Sequence, residues 1–301
     1  MNHIPVLKEA VLDLMEPSAG EMVIDVTLGL GGHAKAFLEK IGAKGKLVGV
    51  DADEENLREV EKVVKVGKVD NVTLIHGNFR DLTNFIYLQN LQTFDVLFAD
   101  LGLSSPHIDD PNKGFSFRED GPLDCRYDRS QGLNATQFIE QSSDEELSDI
   151  LKKYGELKKA YPLSRAIKEV KPKTTFELVK AVESVYKWES KKIAPQVFQA
   201  LRIAVNDEIG ALEALLASGP GLLKSGGRMG IISYHSLEDR LVKQRFKSLS
   251  SPIKDSVTGS PLAPASYELL TKKAIQATLT EVENNPRARS AKLRAIRKVP
   301  N

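Results

Sequence analysis

Residues 25–34 read Asp-Val-Thr-Leu-Gly-Leu-Gly-Gly-His-Ala and lie between an apolar run, Met22 to Leu28, and a stretch with helical character. A strand, a glycine-rich turn and a helix in that order form a cradle for an anionic or nucleotide ligand. Glycine lets backbone N–H groups approach the ligand, and a helix start favours negative charge. Three further runs, Lys46 to Val50, Asn71 to Ile75 and Phe94 to Ala99, are apolar on nearly every position, as strands buried on both faces are. A helix from Asp53 to about Val66 opens on an acidic cap and spaces Leu57, Val60, Val63 and Val64 for one face. This βαβ series predicts an α/β fold built on a parallel sheet.

The pattern stops after Leu103. A polar loop with Gly and Pro follows, then helical runs in which Ser143-Asp-Glu-Glu146 and Thr174-Thr-Phe-Glu177 have capping-box spacing. Residues 104–194 therefore read as an inserted helical subdomain, with residues 1–103 and 195–301 forming the sheet domain. Phe198, Leu201, Val205, Ile209, Leu212 and Leu216 recur every three or four positions, which predicts one long amphipathic helix from Pro195 to Ser218. The chain then returns to the sheet through a fifth strand in Leu222 to Ser233. Ser248 to Ser266, rich in Ser and Pro, reads as the flexible segment.

A net charge of +1 over 301 residues excludes a uniformly basic or acidic surface, so any nucleic-acid site must be a local patch. The tail supplies one: Arg287, Arg289, Lys292, Arg294, Arg297 and Lys298, with no acid after Glu283. One cysteine excludes an internal disulfide and a thiolate-rich zinc site. The five histidines are scattered without ligand spacing, so no metal site is expected. There is no signal-peptide pattern and no run near the roughly 18 residues of a membrane span, which predicts a cytoplasmic protein without membrane partners.

Gly29, Gly31 and Ala34 satisfy G-x-G-x-x-G/A, and Asp51 follows at about the distance of the acid that binds a ribose, so a nicotinamide dinucleotide and S-adenosylmethionine both fit. Asp25 inside the first strand, Phe79 after the third and Asp100 ending the fourth favour S-adenosylmethionine. The alternative for Phe79 is a ring in the core, and for Asp51 an acid in a turn.

Eight motifs sharpen the reading. His3-Ile-Pro-Val-Leu7, Asp25-x-Thr-Leu-Gly-x-Gly-Gly-His33, Asp100-Leu-Gly-Leu-Ser-Ser-Pro106 and Gly114-Phe-Ser-Phe117 come first. Asp120-Gly-Pro-Leu-Asp124, Phe198-Gln-Ala-Leu-Arg202, Ser233-Tyr-His-Ser-Leu-Glu-Asp239 and Asn285-Pro-Arg-Ala-Arg-Ser290 complete the set. Together they resemble the RsmH (MraW) family of bacterial methyltransferases, which modify the exocyclic N4 of a decoding-region cytidine in 16S ribosomal RNA. The resemblance implies a Rossmann-like, S-adenosylmethionine-dependent methyltransferase domain with a helical insertion for substrate recognition. It implies cofactor contacts from Gly31, Gly32, His33, Asp51, Phe79, Asp100 and position 107, and 16S rRNA, within the small ribosomal subunit, as partner. His107 departs from the family's usual Gln, and Cys125 from its usual Met. The oligomeric state is not fixed by the sequence.

Methylation of cytosine at carbon 5 needs a cysteine thiolate, whereas methylation at the amino nitrogen needs acceptors that orient its N–H groups. Cys125, the one candidate thiolate, reads as an apolar filler. Asp100 and Asp124 are the acceptor candidates, although Asp124, Arg126 and Asp128 also suit a local ion-pair cluster. Phe115 and Phe117 are placed either to sandwich a flipped base or to pack under their loop. His235 suits a structural or RNA-contacting role, and Arg202, one turn before Asn206, marks a polar spot on an apolar helix. With Arg287 and Arg289 these are the substrate candidates. The rival readings are an NAD-dependent oxidoreductase and a non-catalytic ribosome-assembly factor.

Overall fold

The structure, a computed structural model, describes residues 5–255, 258 and 260–300. His3 and Ile4 of the first motif, and Ser256, Val257 and Gly259 of the Ser248–Ser266 segment, lie outside the described residues. The chain forms two compact units, residues 1–102 with 210–301 and residues 103–209.

In chain order the elements begin with α1 (Lys8–Met15), β1 (Met22–Asp25), α2 (Gly32–Ile41), β2 (Lys46–Asp51), α3 (Glu54–Gly67), β3 (Val72–His76), α4 (Leu82–Leu88) and β4 (Phe94–Asp100). The second unit contributes α5 (Ser105–Asp109), α6 (Ala135–Gln141), α7 (Asp144–Gly155), α8 (Ala160–Val170), α9 (Thr175–Tyr186) and α10 (Ser190–Asn206). After these come α11 (Glu208–Ser218), β5 (Leu223–Ser233), α12 (Ser236–Leu249), β6 (Ile253–Lys254), β7 (Pro261–Ala263), β8 (Tyr267–Leu269), α13 (Leu279–Asn284) and β9 (Lys292–Lys298).

One sheet of order β3-β2-β1-β4-β5-β9-β8 organises the first unit. Its first five strands are parallel, as the βαβ pattern predicts, and β9 runs antiparallel to both its neighbours, β5 and β8. Successive residues alternate between two cores: Val23, Leu47 and Val96 face one, and Ile24, Val48 and Leu97 the other. Burial on both faces is why these strands read as continuous apolar runs. Phe37 and Ile41 of α2 pack into the first core, and Leu82 and Ile86 of α4 into the second. β1 ends at Asp25, short of the expected Leu28, because the chain turns into the glycine loop there. Val26 and Leu28 still donate their N–H groups to Phe98 and Val50, both at 2.9 Å.

Two sequence expectations are corrected. The long helix is two helices, broken at Asp207, whose left-handed φ of 46° ends α10. The apolar period runs straight across this break, so periodicity could not reveal it. Residues 195–209 belong to the helical unit rather than to the sheet domain, because Val197, Phe198, Ala200 and Leu201 lie in the helical unit's own core with Leu147, Leu151 and Leu178. Part of the basic tail is built into the sheet: Lys292–Lys298 is the strand β9, between β5 and β8. Within the Ser248–Ser266 segment, β6 and β7 pair as a short antiparallel ribbon. Both predicted capping boxes are present, at Ser143 with Glu146 and at Thr174 with Glu177. No described helix is long and apolar enough to cross a membrane.

Arg228 on β5 ties α1 to the sheet. Its guanidinium donates to the Met15 and Glu16 carbonyls at 2.8 Å, capping the end of α1, and forks onto the Glu21 carboxylate at 2.9 Å. A buried guanidinium so engaged is costly to remove, because the carbonyls and the acid stay behind unpaired. Arg228→Met is expected to destabilise the protein by about 3 kcal/mol in urea unfolding. An unchanged midpoint would show that the fork does not support the fold.

Candidate active site

The neighbouring strands β2, β1 and β4 all end in aspartate, at Asp51, Asp25 and Asp100. The strand order reverses between β1 and β4, and the carboxyl edge beside such a reversal is where open α/β sheets bind ligands. The glycine loop leaves β1 at this edge. Gly29 and Gly31 have φ of 52° and 75°, a region costly for a residue with a Cβ, and Gly31 caps α2. Asp51 organises the loop: one carboxylate oxygen accepts the Gly29 N–H at 2.6 Å and the other the Asp53 N–H at 2.8 Å. Gly32 and His33 form the first turn of α2, where helix N–H groups point outward.

His33 is buried and its ring tilts against Phe98, with centroids 4.7 Å apart. Its Nε2 lies 3.6 Å from the Asp100 carboxylate, so the structure brings these two candidates together. Asp100 also accepts the Tyr234 hydroxyl at 2.7 Å, and its own N–H donates to the Thr27 hydroxyl at 2.6 Å. Thr27 serves the next strand as well, its N–H donating to Asp25 at 3.1 Å. Burial is the largest influence on Asp25 and on Asp100 and pushes both carboxyls up to about 7. Mutual repulsion adds to this, Asp51 acting on Asp25 and Asp25 on Asp100. Phe79 opens the turn after β3 and packs, half-buried, against the core around Leu82 and Ile86.

Tyr234 does not stand out as a site residue in the sequence, although it lies in the quoted Ser233–Asp239 motif. Its place beside Asp100 comes from β5 pairing with β4, which sets Asp100 opposite Ile232. His235 caps α12: its Nδ1 accepts the Glu238 N–H at 3.4 Å and its Nε2 lies 3.1 Å from the Glu238 carboxylate. That buried carboxylate in turn accepts the Tyr234 N–H at 2.9 Å.

The other candidates lie in the helical unit. His107 is buried and closes a capping box at the start of α5, its Nδ1 accepting the Ser104 N–H at 3.1 Å. A glutamine at that third helical position can make the same reciprocal bond. The sandwich of Phe115 and Phe117 is not formed. Phe115 packs within 5.0 Å of His107 and stacks on Tyr127 at 5.4 Å, whereas Phe117 tilts against Phe198 at 5.2 Å. Asp124 is engaged by Arg126, its two oxygens accepting Nε at 2.8 Å and Nη2 at 3.0 Å, and these bonds hold its carboxyl below the usual range despite burial. Cys125 is fully buried, has φ of 63° and donates its thiol to the Gly114 carbonyl.

Arg202 is not an exposed contact: it forks onto Glu208 at 2.8 and 3.0 Å. Asn206 fixes the loop, donating to the Cys125 carbonyl and accepting the Tyr127 N–H. In the tail, Arg294 and Lys292 are paired with Asp239 at 2.7 and 3.4 Å, and Arg297 with Glu16 and Glu268 at 3.0 and 3.4 Å. Acids distant in sequence thus neutralise much of the tail, and Arg289 is the member left exposed, with Arg287 half-buried.

The raised carboxyls have a thermodynamic consequence. A carboxyl that titrates near 7 when folded and near 4 when unfolded holds its proton more tightly in the native state, so stability is lost as pH rises through that window. Ligand-free Asp100→Asn is expected to melt at least about 2 °C above the unsubstituted protein at pH 8, with the gain vanishing at pH 5. An equal or lower melting point at pH 8 would contradict the buried-acid description.

Comparison with known proteins gives the site its context. The chain matches the MraW methylase family over residues 1–299. It is 40% identical over 99% of its length to ribosomal RNA small subunit methyltransferase H of Sorangium cellulosum, covering 91% of that protein. It is 37% identical, with both chains covered completely, to the protein of the same name from Halothermothrix orenii. Among solved structures, TrmN from Thermus thermophilus aligns with a TM-score of 0.45 at 12% identity, over 97% of this chain and 48% of that one. The chain belongs to the MraW methylase family, whose methyl donor is S-adenosylmethionine.

Proposed function

We propose that the protein transfers a methyl group from S-adenosylmethionine to the exocyclic N4 of a decoding-region cytidine in 16S ribosomal RNA, within the small ribosomal subunit of the cytoplasm. The ribosomal substrate follows from the relatives' names. The choice of nitrogen over carbon 5 is carried by one observation. Cys125, the chain's single cysteine, is fully buried with its thiol donating to the Gly114 carbonyl, and desolvation raises that thiol above its ordinary value, so it is unsuited to add to a cytosine ring.

The residues at the sheet edge fit the cofactor. Two buried acids suit its cationic centre, Asp51 suits ribose hydroxyls, and the first turn of α2 suits a carboxylate. Gly31, Gly32, His33, Asp51, Phe79 and Asp100 would hold it. When bound, S-adenosylmethionine supplies an electrophilic methyl group. Asp100, kept in place by Tyr234 and Thr27, accepts an N–H of the target amino group and so aims the nitrogen lone pair. Its carboxylate can take the proton that the alkylated nitrogen sheds, before passing it to solvent. Asp124 is the weaker acceptor because Arg126 already engages both of its oxygens. The helical unit of residues 103–209 is assigned to substrate recognition.

The test is incubation with labelled S-adenosylmethionine and unmethylated small subunits, then digestion and identification of the labelled nucleoside. The expected product is N4-methylcytidine. Asp100→Asn should lower turnover on the order of a hundredfold, while Cys125→Ser leaves it unchanged. Label in 5-methylcytidine would overturn the amino-nitrogen reading, and RNA binding without any label would favour the assembly-factor alternative.

A further inference from the structure

Trp188, the chain's one tryptophan, is 87% exposed in the turn of residues 187–189 between α9 and α10. Tyr161, in the first turn of α8, is 49% exposed. The two turns lie at the same end of the helical unit. The Lys159 N–H donates to the Tyr186 hydroxyl at 3.0 Å, and the Lys159 ammonium sits 5.3 Å from the centre of that ring. Segments 152–160 and 186–192 together hold seven lysines and two glutamates. Among the described residues Lys158, Lys187, Lys191 and Lys192 form no ion pair, and all four are exposed.

Two exposed aromatic side chains set among exposed lysines suit an anionic partner better than an apolar one, because burying the ammonium groups against an apolar surface would be costly. They make a good support for a single nucleic-acid strand, in which phosphates meet the ammonium groups and unpaired bases stack on the rings. We propose that this end of the helical unit, with Trp188, Tyr161, Lys158, Lys159, Lys187 and Lys191, is a docking face for unpaired ribosomal RNA outside the methylated nucleotide. The proposal rests on the ribosomal reading above. It adds an anchoring surface that positions the RNA without reading its sequence.

Because Trp188 is the only indole, intrinsic tryptophan emission reports on this face alone. Titration with naked 16S rRNA is expected to quench it. Trp188→Ala should weaken RNA binding roughly tenfold. The double variant Lys187→Glu with Lys191→Glu should flatten the salt dependence by about 0.7 for each phosphate it no longer neutralises. Both variants should keep the melting temperature and the melting shift produced by S-adenosylmethionine. RNA binding with unchanged emission and unchanged Trp188→Ala affinity would overturn the docking face and leave the methylation reading intact. Quenching by assembled subunits but not by naked rRNA would assign the face to a ribosomal protein and also overturn the proposal. No RNA binding by the unsubstituted protein would remove the ribosomal reading and this face with it.

Discussion

Like charge held in a dry place is the constraint to which the first unit conforms. Asp51, Asp25 and Asp100 end three adjacent strands, and burial with mutual repulsion makes ionisation of the inner two costly. The surrounding chain is arranged to limit that cost: the Thr27 amide and hydroxyl, the Gly29 and Asp53 amides and the Tyr234 hydroxyl all serve the edge. These donors do not remove the demand for positive charge, since two carboxyls still titrate near neutrality. A methyl donor with a permanent cationic centre and two ribose hydroxyls meets both needs.

The helical unit obeys a different logic. Its loop of residues 103–134 carries two of the eight motifs and part of a third, yet much of the polar chemistry around it is engaged in holding the loop itself. His107 caps α5, Asp124 grips Arg126, and Asn206 reaches across to Cys125 and Tyr127. A motif residue is therefore not by itself a contact residue. Chemistry in this unit depends on a loop whose shape is fixed by polar bonds and by a ring cluster of His107, Phe115 and Tyr127.

Local signals proved the most legible. The two capping boxes are satisfied within four residues, so the sequence contains both partners of each bond. Both-face burial likewise leaves its mark in uninterrupted runs of Val, Ile and Leu. The break at Asp207 escaped because the apolar period continues through it, and the decisive bonds run from Asn206 to residues about 80 positions away. The tail misled for the same reason: Asp239, Glu16 and Glu268 neutralise it from far along the chain.

The parallel α/β sheet, the glycine loop, the acids that end the strands and the family are all legible in the sequence, because each is written in short stretches of contiguous residues. Which acids are free to act was decided by tertiary structure alone. Asp100 acquired Tyr234 and His33 as neighbours when β5 paired with β4 and α2 packed back on the sheet. Asp124, Arg202 and much of the basic tail found partners that removed them from easy reach. Electrostatic character belongs to a side chain's surroundings, and those are assembled only when distant segments meet.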